Sequence, residues 1–192
     1  MPLPMALVLG VFALVGLWAL YGFGRRLVLA WLRYRGARVV VCPENREIVA
    51  VEVDARHAAL TASQGRIDLR LDTCTRWPEK LGCGQECLGQ IESAPEACLL
   101  RNILADWYQG KICVMCGREF HRFHWHDHQP GLRAPDGAIR GWDEFRPEQV
   151  IDVLATHTPV CWDCRVSETF RREHPDLVTD RRPRTGPPPS MA

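Results

Sequence analysis

The sequence predicts an α+β protein in which one amino-terminal transmembrane helix precedes a small cysteine-rich domain, and three observations predict it. The first 24 residues hold no charged side chain and are almost wholly apolar from Leu3 to Phe23. Beyond residue 38, short valine- and leucine-rich stretches with a period of two are interspersed with short helical patterns. Nine cysteines punctuate 192 residues, and four of them form two C-x-x-C pairs, Cys113 with Cys116 and Cys161 with Cys164. The net charge of +1 supplies no strong field for nucleic acid or acidic substrates.

About 20 helical residues cross a hydrocarbon core of ~30 Å, so Leu3 to Phe23 match a bilayer in length and composition. A cleaved signal peptide needs a basic region before its apolar run and a small-residue cleavage site after it. Here the order is reversed: no Lys or Arg precedes the run, whereas Arg25, Arg26, Arg33, Arg35 and Arg38 follow it, with no acidic residue until Glu44. The positive-inside rule then places the amino terminus outside and the rest of the chain in the cytoplasm of a bacterial-type inner membrane or other cell membrane. Residues 1–24 are thus read as the anchor. Residues 25–38 are read as a basic juxtamembrane segment, a helix lying at or continuing into the interface. There Trp31 and Tyr34 sit at headgroup level and the guanidinium groups face anionic lipid, or serve only as a topology signal.

Residues 39–92 read as a cysteine-rich β lobe. Val39 to Val41, a Pro43 to Arg46 turn, and the alternation of Val49, Val51 and Val53 predict a hairpin. A short helix is expected over Ala55 to Ala62, and Ile67, Leu69 and Leu71 alternate as a third strand. His57 is read as a surface or packing residue. Residues 73 to 91 carry neither period, and their Pro78, Gly82, Gly84 and Gly89 mark irregular backbone.

Residues 93–179 read as a helix followed by a metal lobe. Ser93 and Glu96 have the spacing of a capping box, which predicts a helix to Gln109 ending at Gly110, with Leu99, Leu100, Ile103, Leu104, Trp107 and Tyr108 on one side and Cys98 on the polar side. Phe120 to His128 and Ala138 to Phe145 are predicted to pair across the Pro135-Asp136-Gly137 turn. Helices are expected over Glu148 to Ala155 and Val166 to Glu173. The tail 180–192, rich in Pro, Arg and Gly, is expected to be disordered.

A C-x-x-C turn places two sulfurs close enough to share one ion, and Gly117 lets the chain turn back so that amides face the thiolates. Cys113, Cys116, Cys161 and Cys164 are accordingly assigned to one tetrahedral zinc site, with the helix amino terminus helping to stabilise Cys161 and Cys164 as thiolates. Over Ile112 to Glu173, a cysteine knuckle, a hairpin and a second cysteine pair at a helix start resemble the treble-clef class of zinc fingers, with a helix inserted between hairpin and second pair. The redox alternative for C-x-x-C belongs to a βαβ setting, and the sequence shows none.

Cys42, Cys74, Cys83 and Cys87 form a candidate second metal site, suggested by the C-x-x-x-C pair in a Gly-rich loop and by Cys42 at a strand end. In an oxidising compartment the same residues would instead pair as disulfides. His121, His124, His126 and His128 cluster as metal ligands do, and also as surface groups of a hairpin do. There is no G-x-S-x-G, no phosphate-binding Gly-Lys loop, no H-E-x-x-H and no C-x-x-C-H. The expectation is a membrane-anchored zinc-binding interaction module docking an unknown protein partner, with zinc as cofactor, the lipid bilayer contacted through Leu3 to Phe23, and nucleic acid not a partner. The alternative is a membrane-bound thiol oxidoreductase or metal-handling protein using the proximal cysteines, including Cys98.

Overall fold

A helix that is apolar on every side has no face suited to water, and the computed structural model begins with such a helix. It describes residues 3–77, 79–80, 82–121 and 128–178. Helix α1 (Leu3–Tyr34) runs 32 residues, a length of ~48 Å at ~1.5 Å per residue. Large apolar side chains around its whole circumference are exposed, Trp18 at 78%. The helix is long and apolar enough to cross a membrane, a test that a signal sequence near an amino terminus also passes. It continues unbroken to Tyr34, through most of the arginine-rich segment, and just beyond its end Arg35 lies 4.7 Å over the Trp31 ring.

Arg38, grouped above with the lipid-facing arginines, is instead fully buried. A helix end leaves its last carbonyls without intrahelical partners. Arg38 supplies partners, with Nη1 donating to the carbonyls of Tyr34 at 2.6 Å and Gly36 at 3.0 Å, and Nη2 to that of Arg33 at 2.5 Å.

The valine alternation forms the expected hairpin, β1 (Arg38–Val41) and β2 (Ile48–Val53), with Val40 opposite Val49. Helix α2 (Ala55–Ser63) starts where Asp54 accepts a hydrogen bond from the His57 N–H at 2.9 Å, and its Ala58 and Ala59 are buried as it packs on α1. The His57 ring faces outward to Asp68. Strand β3 (Leu71–Cys74) pairs antiparallel with β2, beyond a bulge at Glu52/Val53. It begins where the predicted strand ends, because the preceding residues are tied elsewhere: Asp68 N–H donates to the Thr61 hydroxyl and the Arg70 carbonyl accepts from Asp54 N–H.

The capping box at Ser93 does not form. Ser93 ends α3 (Leu88–Ser93), and its hydroxyl donates to the Gln90 carbonyl. Helix α4 (Leu100–Tyr108) starts later because the chain before it is drawn to the edge of β1: Val39 N–H donates to the Cys98 carbonyl at 2.9 Å, and Arg38 bridges to Leu99. The core here holds Tyr34, Val40, Val49, Val51, Val53, Ala58, Leu71, Cys87 and Ile91.

The chain divides into two compact units. Residues up to 109 form the first, together with 145–155. The second comprises 110–144 and the chain from 156 onward.

Within the second unit the predicted turn is present, with Gly137 at φ +88° and Asp136 accepting from Ala138 N–H. The strands around it are shorter than expected and displaced, β4 (Gly131–Arg133) and β5 (Ile139–Arg140); residues 122–127 of the predicted leading strand lie outside the described residues. Trp142 to Glu144 curl into a 3-10 turn instead of extending the return strand. After α5 (Val150–Thr156), a short strand that the sequence reading did not foresee, β6 (Thr158–Val160), pairs with β4. Pro159 masks it in sequence, and among the described residues β6 is an edge strand, where a missing N–H is tolerated. Helix α6 (Trp162–Glu173) begins four residues before the predicted Val166.

Arg165 of α6 lies against Gly131, so a Cβ there would fall 2.7 Å from its Cδ and 3.0 Å from the Arg140 carbonyl oxygen. Gly131→Ala is therefore expected to destabilise this unit by about 1–3 kcal/mol. Thermal unfolding would read it, and a wild-type midpoint would show that the close approach is dispensable.

Candidate metal centre

The first cysteine pair sits in a tight hairpin turn built by its own backbone. Phe120 N–H donates to the Lys111 carbonyl and Cys113 N–H to the Arg118 carbonyl, both at 2.8 Å, and Gly117, at φ +72°, returns its N–H to the Cys113 carbonyl at 2.9 Å. That left-handed conformation favours glycine, which explains Gly117 after the second cysteine. The second pair sits at a helix start: Cys161 is the extended residue before α6, and Cys164 falls in its first turn. One backbone bond, from Val114 N–H to the Pro159 carbonyl at 3.1 Å, holds the turn beside the strand that delivers Cys161.

These elements bring all four sulfurs within 4.8 Å of one another. Cys116 and Cys161 Sγ are 3.7 Å apart, close to the ~3.8 Å expected between sulfurs bound tetrahedrally at ~2.3 Å. Cys113 and Cys161 are buried, Cys164 is half-buried and Cys116 is exposed. The spacing and the all-thiol donor set fit a soft or borderline divalent metal.

The electrostatics agree with that fit. Burial opposes charge on Cys113, but backbone N–H groups of Cys161, Cys116 and Met115 point at its sulfur and bring its titration down to about 7; the Cys161 N–H lies 3.2 Å away. Burial pushes Cys164 well up, and the neighbouring sulfurs of Cys161 and Cys116 add to it; burial raises Cys161 as well. Four negative sulfurs at this spacing repel one another, so a cation is what allows all four to be thiolates. The Arg118–Asp163 ion pair beside the site is exposed and contributes little.

The proximal quartet is arranged differently. Cys42, Cys74, Cys83 and Cys87 border a single cavity of about 320 Å³. They do not form a group as compact as the distal four, which is the one such group among the described residues. Cys98 is not among the residues bordering that cavity, and its thiol faces the Gln90 carbonyl. His121 and His128 do not join the compact group, and the His128 ring meets Trp162 edge to face at 4.8 Å. His124 and His126 lie outside the described residues. Sequence reading also missed Arg76, whose Nη1 donates to Cys42 Sγ at 3.0 Å; an Arg two residues after a candidate ligand was the available signal. Comparison with protein-family profiles, with curated proteins and with solved structures found no match in any of the three.

Proposed function

We propose that this chain is a single-pass membrane protein whose cytoplasmic part is a zinc-stabilised interaction module. The observation that carries the reading is the compact four-cysteine group, with its sulfurs within 4.8 Å. Four thiolates close a tetrahedral shell and leave no position for substrate or water, which suits a structural role. A knuckle, a short hairpin and a helix whose start carries the second pair support the treble-clef resemblance. The exposed apolar surface of α1 and the arginines that follow it support anchoring with the domain inside.

The thiol-oxidoreductase alternative needs accessible thiols of low pKa. Burial instead pushes Cys87 up to about 11, with the other three proximal sulfurs adding to it, and burial raises Cys98. Paired reporters fused after residue 178 test the anchoring, with cytoplasmic fluorescence expected and an active periplasmic phosphatase overturning it. Metal analysis of the same chain tests the rest. Distal zinc is expected, and rapid alkylation of Cys83, Cys87 and Cys98 in the native chain points to redox use.

A further inference from the structure

Separated parts of the first unit deliver four cysteines to one place: Cys42 from the end of β1, Cys74 from β3, and Cys83 and Cys87 from the loop before α3. All four residues border one partly open cleft of about 320 Å³. Residues 75–87 contain no helix or strand among those described, and a loop of this length in a compact unit requires something to fix it.

The loop nevertheless has a defined shape. Gln85 adopts the left-handed conformation at φ +55°, uncommon for a residue with a side chain, and its Oε1 accepts from Leu71 N–H at 2.9 Å. That contact ties the Cys83/Cys87 turn to β3, the strand that carries Cys74. On the other side Glu44, next to Pro43, accepts from both Arg76 and Lys80. Arg76 places its guanidinium on Cys42 Sγ, and its Nε is buried without a hydrogen-bond partner. A cation donating to sulfur, with a further donor unspent, is what a negatively charged sulfur cluster uses for compensation.

We propose that Cys42, Cys74, Cys83 and Cys87 form a second centre that binds a thiophilic metal through four thiolates, as one zinc ion or as an iron–sulfur cluster. Arg76 is a positioning residue that donates to the Cys42 thiolate. The two forms differ in what they ask of the loop. A single zinc must draw the sulfurs to the ~3.8 Å spacing of a tetrahedral site, whereas a cluster holds its cysteines farther apart. This centre is independent of the distal one, so either can fail alone.

The experiment is metal and acid-labile sulfide analysis of the full chain, purified in detergent without oxygen, alongside Cys74→Ser/Cys83→Ser and Cys113→Ser/Cys161→Ser. The expected result is metal beyond the distal equivalent, absent from the first variant and retained in the second. A second zinc identifies the single-ion form, and iron with sulfide and visible absorption identifies the cluster. Titration of the metal-free wild type with Co(II) covers the case in which a variant misfolds: two equivalents with sulfur-to-cobalt charge-transfer bands are expected for the single-ion form, and saturation at one in a chain that is purified without iron and labile sulfide overturns the proposal. So does finding the proximal cysteines disulfide-bonded in cells alkylated at lysis. Arg76→Gln is expected to speed loss of the proximal metal to chelator about tenfold, with distal release unchanged.

Discussion

Cys113→Ser is expected to release the distal metal and unfold the second unit while leaving the first unit's sheet intact. That unit has little else to hold it. Among the described residues, its buried apolar side chains are Phe120, Leu132, Ala134, Ile139 and Val160, with Cys113 and Cys161 themselves, and its strands are two or three residues long. A core of this size is marginal by itself. Structural zinc sites contribute about 10–16 kcal/mol of apparent binding free energy at neutral pH, so loss of one ligand removes more than such a core supplies. Amide exchange resolved by segment measures the effect: protection should vanish around 131–140 and 158–173 and persist at 38–53. A folded, zinc-replete variant would falsify the structural role.

The second large effect is expected at Arg38. Arg38→Met keeps the length of the stem and removes the guanidinium, leaving the carbonyls of Arg33, Tyr34 and Gly36 without the donors they now have. At roughly 1 kcal/mol or more for each buried acceptor left unmet, the first unit should lose about 3 kcal/mol. Burial does lower the Arg38 pKa, with Glu96 acting the other way, but the guanidinium remains charged at neutral pH. Arg38→Lys should recover only part of the loss, because an ammonium cannot span three carbonyls as a planar fork does. Urea denaturation of the full chain in detergent would show the order wild type, Lys, Met; a Met variant as stable as wild type would mean that water satisfies the helix end.

These two sites show what the sequence made legible. The distal quartet was readable because C-x-x-C fixes the spacing of each pair locally, and only the meeting of two pairs was left to the fold. The β1–β2 hairpin was readable for a similar reason, its valines alternating over adjacent segments. Errors came where a distant partner outbid a local signal. Ser93 and Glu96 have the spacing of a helix start, but the edge of β1 takes Leu99 into an extended bridge and the helix waits for Leu100. Leu69 is buried as a strand residue would be, yet Asp54 and Thr61 take up the backbone around it. Arg38 looks like one more juxtamembrane arginine: Val39 to Val41 announce the strand, but nothing local says that the side chain before them turns back onto the helix end.

The burial of Ala30 and Tyr34 at the end of α1 has a mechanical consequence. The last turns of α1 are also part of the proximal core, and the chain passes from helix to strand within four residues. No leash separates them. A domain on a flexible linker explores a volume that grows with linker length, whereas this one is carried like a signpost on its pole. In a bilayer, a change in helix tilt becomes a rotation of the sheet, and the height of the proximal unit above the headgroups is set by how deeply the helix sits.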